Sequence, residues 1–204
     1  TVSAVKQKDY DSAGYKKTMS LVRDIHVGDF AKDLVQYYQL QVDQNGFIVG
    51  AECLVRWMHP RLGLLLPVEF MEIAEQSQAI VDLGYQMIDL ACTTLKRWAK
   101  ASHTQKLRLS VNVSPRQFHQ PSFISSVNDI LSAHQINRQL LRFEITECTV
   151  IHDVAEVIET MKRLKAMGIS MSIDDFGTGY SSLTYIQRLP IDEIKIDRSF
   201  VSDI

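Results

Sequence analysis

The sequence predicts an α/β fold whose parallel strands curve into a barrel, and three observations carry that prediction. From about residue 107 onward, short apolar strand patterns alternate with helical patterns. Such alternation joins parallel strands through right-handed crossovers. An Asn-Gly pair at 45–46 separates two strand-like runs, the signature of a tight antiparallel hairpin. Acidic, amide and lysine side chains recur at the carboxyl ends of successive strands, the ends that converge on one face of a parallel barrel. The length of 204 residues suits one domain, and 46% hydrophobic with 23% charged residues is a globular composition.

Taken in order, residues 1–33 are polar, with Met19, Leu21, Val22 and Ile25 forming a weakly amphipathic stretch. They read as a leading helix or linker, and 34–204 as the barrel domain. Strands are expected at Val35–Val42 and Phe47–Trp57, joined across Asp43–Gly46. MHPRLGLLLP reads as a loop. Pro67 then opens a helix over VEFMEIAEQ, proline being at home in a first turn. Ile80–Lys100 is a long helix with Ile80, Leu83, Met87, Leu90, Ala91 and Leu95 at helical spacing. LRLSVNVS is a strand, Ser122–His134 a helix and LRFEIT a strand. Val154–Met167 is a helix that Gly168 terminates. ISMSID is a strand, Ser181–Arg188 a short helix and DEIKID the sixth and last strand. The inner runs Leu109/Val111/Val113 and Ile169/Met171/Ile173 are expected to leave polar groups mainly at strand ends.

Bulk properties exclude several classes. A formal net charge of −2 gives no overall attraction for DNA, RNA or an anionic membrane, so phosphate chemistry needs a local site or a bound cation. Cys53, Cys92 and Cys148 form no CxxC, which argues against a disulfide framework or a thiolate zinc site and for a reducing cytoplasm. The polar first residues do not read as a signal peptide, and the apolar stretch Phe47–Val55 is short and interrupted by Glu52. A membrane anchor elsewhere in a longer parent protein is compatible with this reading.

The residues at the strand ends are Asn112, Glu144, the pair Asp174 and Asp175, and Lys195, each about one strand–helix unit from the next. Glu52, within the second strand, is a further candidate. Clustered acids stay ionised only if a cation offsets their repulsion. Oxygen donors without histidine or thiolate favour Mg²⁺ or Mn²⁺ over Zn²⁺. Tandem acids can serve two ions, and a pair about 3.5–4 Å apart is a standard device for phosphodiester hydrolysis. Any one of these acids alone is equally compatible with a helix cap or loop staple. Their convergence is what points to a site. Glu147, beyond the strand, fits a loop-holding role better than ligation. Gly177-Thr178-Gly179 lacks the lysine and spacing of a phosphate loop.

The segments YYQLQV, AECLVRWMHP, FMEIAEQ, LSVNVSPRQF, LRFEITE and SIDDFGTGYSSLTYIQRLPIDEIKIDRSFV, in that order, resemble the EAL-domain cyclic di-GMP phosphodiesterases of bacteria. The likeness runs from about residue 34 to the end. It implies a TIM-like (β/α) barrel with an antiparallel first strand, about six of whose eight strands lie in this chain. It also implies hydrolysis of cyclic di-GMP to linear pGpG with Mg²⁺ or Mn²⁺, in a homodimer, with a sensor or GGDEF domain upstream in the parent protein. By the same resemblance Glu52, Asn112, Glu144 and Asp174 are metal ligands, and Asp175 serves a second ion. Lys195 lies beside the attacking water and phosphate, so that Lys195, Asp175 and Glu52 form the catalytic set. Gln39 and Arg56 contact guanine and phosphate, with Asn112 also at the substrate. Glu147 pins the loop 175–182.

This chain departs from the family pattern at Cys53, where the signature has alanine, and at Leu40, where proline usually follows the glutamine. The strands that would follow the sixth carry a family glutamate and glutamine absent from these 204 residues. An inactive cyclic di-GMP receptor or regulatory domain is therefore the alternative to an enzyme. An unrelated Mg²⁺ barrel acting on sugar phosphates is a third reading, disfavoured by the density of motifs.

Overall fold

The computed structural model describes residues 12–27, 30–151, 153–177 and 187–200. It opens with α1 (Ser12–Val27), a 3-10 turn at Phe30–Asp33, then β1 (Leu34–Val42), β2 (Ile48–His59), β3 (Gly63–Leu65), α2 (Pro67–Glu75) and α3 (Ala79–Trp98). There follow β4 (Arg108–Asn112), α4 (Pro115–Phe118), α5 (Phe123–His134), β5 (Leu141–Thr146), α6 (Glu147–Ile151) and α7 (Val154–Ala166). The last elements are β6 (Ser170–Phe176), β7 (Glu193–Ile196) and a 3-10 turn at Arg198–Phe200.

One sheet runs β1-β2-β4-β5-β6-β7, with β3 paired to β2. β1 and β2 are antiparallel, as the Asn-Gly turn requires, and Gly46 takes the positive φ of 81° there. All pairings from β2 through β7 along the main path are parallel. The described strands form an open, barrel-like sheet with β1 and β7 at its edges.

Local chemistry explains the elements. Pro67 stands in the first turn of α2, and Glu69 reaches back to accept the Leu66 N–H at 2.8 Å. Along α3 the buried Ile80, Leu83, Met87, Ala91 and Leu95 recur every three or four residues and face the sheet, with Asp82 in the first turn and Lys96 and Arg97 in the last. Asp153 caps α7 by accepting the Glu156 N–H at 3.0 Å, and Gly168, at φ 91°, turns the chain into β6. Phe30 packs edge-on against Trp57 at 4.8 Å between ring centroids, and Phe70 closes the cluster at 5.7 Å from Trp57.

Several expectations need correction. The stretch read as a loop after Trp57 contains β3, because Gly63 at φ 75° lets the chain fold back onto β2. The strand LRLSVNVS ends at Asn112, since Ser114 caps α4 through the Gln117 N–H at 3.2 Å. The main path of the sheet has the six expected strands, and β3 is a seventh described strand off that path. The N-terminal stretch is a helix from Ser12, and buries Leu21 and Ile25. Most of the short helix expected at Ser181–Arg188 lies outside the described residues. The apolar residues Leu109, Val111, Leu141, Phe143, Ile145, Met171 and Ile173 belong to the core. By the two-residue period of a strand, the alternating positions Ser110, Arg142, Glu144, Ser172 and Asp174 take the opposite face. That face is therefore polar along its length, not only at the strand ends.

Candidate active site

Lys195 is the hub of the polar face. Its Nζ donates to Glu52 Oε2 at 2.9 Å, Glu144 Oε2 at 2.7 Å and Asp174 Oδ2 at 3.0 Å. Four strands, β2, β5, β6 and β7, thus contribute to one cluster, although up to 143 residues separate its members. The parallel register makes this possible, since Asn112 is level with Glu144, and Thr146 with Asp174. Asn112 Nδ2 donates to Glu52 Oε1 at 2.8 Å, which joins β4 to the group.

The three carboxylates offer oxygens that all lie within 4.8 Å of one another, close enough for a single cation to meet them. Glu144 is buried, and its Oε1 has no hydrogen-bond partner among the described residues. Burial pushes the Glu144 carboxyl above its usual range, while the bond and charge of Lys195 pull against that shift. Burial would lower the Lys195 ammonium, but the bonds and charges of Glu144 and Glu52 outweigh it and hold the pKa well above the usual lysine value. A lone ammonium balances only part of three carboxylates, and an all-oxygen donor set with an unpartnered buried oxygen fits a hard divalent cation.

Asp175 stands apart from the three-carboxylate group. It is exposed, its φ is 52°, and its N–H donates to Asp174 Oδ1 at 3.0 Å. The β6–β7 register shifts between Ile173 and Phe176, so the acid pair sits on a bulge that aims its members differently. Partial desolvation, followed by the charges of Asp174 and Asp197, raises the Asp175 carboxyl. Glu147 begins α6, is buried, and its Oε2 accepts the Gly177 N–H at 3.0 Å. The rest of the loop through 182 lies outside the described residues.

Gln39 faces Glu52 in the β1–β2 register and is exposed. Arg56 is half-buried, donates to the Val55 carbonyl at 2.7 Å, and lies over the Tyr37 ring at 5.4 Å. A cleft of about 330 Å³ opens beside the cluster, bordered by Leu54, Met71, Glu75, Asn112, Pro115 and Glu144. Its size suits a small-molecule ligand. The sequence reading passes over Arg142 and Glu193, yet Arg142 Nη1 donates to Glu193 Oε1 at 2.6 Å on the same polar face. The available signal was the strand period, because each lies two residues before a clustered side chain.

A sheet whose polar face gathers three acids, an amide and a lysine defines a barrel-type protein with an acidic, cation-ready centre. The family model of the EAL domain matches residues 25–204. The chain belongs to the EAL domain family. It is 37% identical over 194 residues to the bifunctional diguanylate cyclase/cyclic di-GMP phosphodiesterase MucR of Pseudomonas aeruginosa, covering 95% of this chain and 28% of that protein. Against the cyclic di-GMP phosphodiesterase NbdA of the same organism the identity is 37% over 170 residues, or 83% of this chain and 22% of that protein. The chain thus spans about a quarter of the length of these relatives. The solved structure of the PaMucR phosphodiesterase in complex with c-di-GMP superposes with a TM-score of 0.84 at 38% identity, covering 90% of this chain and 74% of that one. The EAL domain of FimX from Pseudomonas aeruginosa, at 19% identity and a TM-score of 0.77, shares the fold. No described helix is long and apolar enough to cross a membrane.

Proposed function

We propose that this chain supplies the catalytic face of a metal-dependent phosphodiesterase that hydrolyses cyclic di-GMP to linear pGpG. The observation that carries the reading is the convergence of Glu52, Glu144 and Asp174 on Lys195 within 3.0 Å. The likeness to MucR and NbdA supports the substrate. Glu52, Asn112, Glu144 and Asp174 would hold one Mg²⁺ or Mn²⁺ ion, with Asp175 serving a second. When bound, such ions make a potent nucleophile from water at neutral pH and offset the charge of the phosphoryl transition state.

The chain's own residues orient and restrain. Lys195, its three N–H groups engaged by Glu52, Glu144 and Asp174, would keep a positive charge beside the phosphate and the attacking water, where negative charge develops. Arg56, braced on Tyr37 and the Val55 carbonyl, presents its remaining donors to phosphate. Gln39 faces the same rim and meets a guanine edge. Glu147, through Gly177, sets the start of the loop that follows Asp175. A homodimer, a cytoplasmic location and an upstream sensor or GGDEF domain in the parent protein belong to the same reading.

The test is Mg²⁺- or Mn²⁺-dependent formation of pGpG by the parent protein, followed by chromatography. Glu52→Ala is expected to lower kcat at least a hundredfold, on the scale of losing a principal transition-state contact. Full activity in that variant, or nucleotide binding without product from the wild type, overturns the enzyme reading.

A further inference from the structure

We propose that Arg142 and Glu193 form a staple that sets the height of Lys195 in the site, which makes them positioning residues for the reaction proposed above. The Arg142 side chain is 5% exposed and Glu193 39%, and their atoms meet at 2.6 Å across the polar face of β6. Arg142 sits on β5 two residues before Glu144, and Glu193 on β7 two residues before Lys195. The two cross-strand contacts, Arg142–Glu193 and Lys195–Glu144, are therefore successive rungs between the same pair of strands.

The register shows what the staple resists. Arg142 is level with Ser170 on β6, whereas Glu193 is level with Ser172. Glu144 is level with Ser172, and Lys195 follows Ile194, whose partner is Ile173. In both rungs the β7 member stands nearer the carboxyl ends than its β5 partner. Any drift of β7 in that direction stretches both contacts together. The backbone ladder cannot fully prevent such drift, because the β6–β7 register is interrupted between Ile173 and Phe176, beside Lys195. A short ion pair with a buried arginine, just below the interruption, supplies the missing restraint, as supporting hydrogen bonds do around a ligand set.

This proposal rests on the reading of the site, so its main readout is binding of Mn²⁺ alone, titrated by electron paramagnetic resonance without nucleotide. Lys195→Met removes the internal counter-charge and is expected to bind Mn²⁺ roughly tenfold more tightly. If the staple positions Lys195, both Arg142→Met and Glu193→Gln loosen the ammonium and tighten Mn²⁺ binding, each by about threefold or more. The sign for Glu193→Gln decides the matter, because simple loss of a nearby negative charge weakens cation binding instead. Weaker or unchanged binding in Glu193→Gln overturns the staple. The exchanged pair Arg142→Glu with Glu193→Arg is expected to restore wild-type affinity, and Arg142→Lys to restore part of it. Circular dichroism melting identifies variants that fail to fold, and for those Arg142→Lys carries the comparison, with Mn²⁺ affinity between wild type and Lys195→Met supporting the staple and unchanged wild-type affinity overturning it. In turnover, Arg142→Met is expected to lower kcat about ten- to a hundredfold with KM nearly unchanged. Absence of turnover in every protein, with the Mn²⁺ pattern intact, overturns the phosphodiesterase reading and leaves the staple standing.

Discussion

Lys195 shows why single residues matter out of proportion in this molecule. Its ammonium is the counter-ion that lets Glu52, Glu144 and Asp174 share a small space. A second polar node, away from the site, lends itself to a pH test. Asp24 on α1 accepts hydrogen bonds from Arg61 and from His59 Nε2, the latter at 3.1 Å. The His59 Nδ1 accepts the backbone N–H groups of Arg61 and Leu62, so the proton resides on Nε2 and points at Asp24. Burial alone would raise the Asp24 carboxyl, but the Arg61 and His59 bonds hold it below its ordinary 3.8. A depressed carboxyl contributes stability that is complete above the unfolded value and is lost as pH falls through the folded one. Asp24→Asn is therefore expected to lower the Tm at about pH 6, and the gap from wild type to close toward pH 3. A gap that does not narrow at all as pH falls below 3.8 would show that the node acts by packing instead.

At the scale of elements, the spacing of β2 and β4 places Glu52 beside Asn112. Gly50 is what permits that spacing, since a Cβ there would stand 2.7 Å from the Arg108 carbonyl oxygen. Backbone cannot step aside as a flexible side chain can. Gly50→Ala is expected to destabilise the protein by about 1–3 kcal/mol, as overpacking does, read as a lower denaturant midpoint. Because Gly50 lies two residues below Glu52, the same variant is expected to weaken Mn²⁺ binding. The hairpin was legible from Asn45-Gly46, and α2, α3, α5 and α7 from periodicity and caps, because those signals are local. β3, α4 and α6 were not. A three-residue strand has no period to read, and α4 and α6 are shorter than two turns.

At the largest scale, the described strands leave apolar side chains exposed on both outer strands, among them Leu40 and Val42 on β1 and Ile194 and Ile196 on β7. The polar face holds acids from three strands together against their own repulsion. A cation that binds only the folded form should therefore stabilise the entire structure through linkage. At a hundredfold its Kd, Mn²⁺ is expected to contribute about 2.7 kcal/mol, a rise in Tm of roughly 5–10 °C for a domain of this size. In Glu52→Ala that rise is expected to shrink sharply. An equal rise in both proteins would place the ion elsewhere.

The sequence by itself determined the parallel α/β class, the hairpin at its start and the identities of the clustered residues. Asn112, Glu144, Asp174 and Lys195 fall near strand ends, which can be read from local apolar runs, and Glu52 stands out as an acid within an apolar strand. Tertiary structure alone decided that Asp175 takes a positive φ outside the three-carboxylate group and that Lys195 stands at the centre of the acids. It alone revealed the Arg142–Glu193 rung beneath them. The reason is physical. Which residues share a strand is fixed by short-range pattern, but which atoms meet across four strands depends on register, on one bulge and on the reach of long side chains.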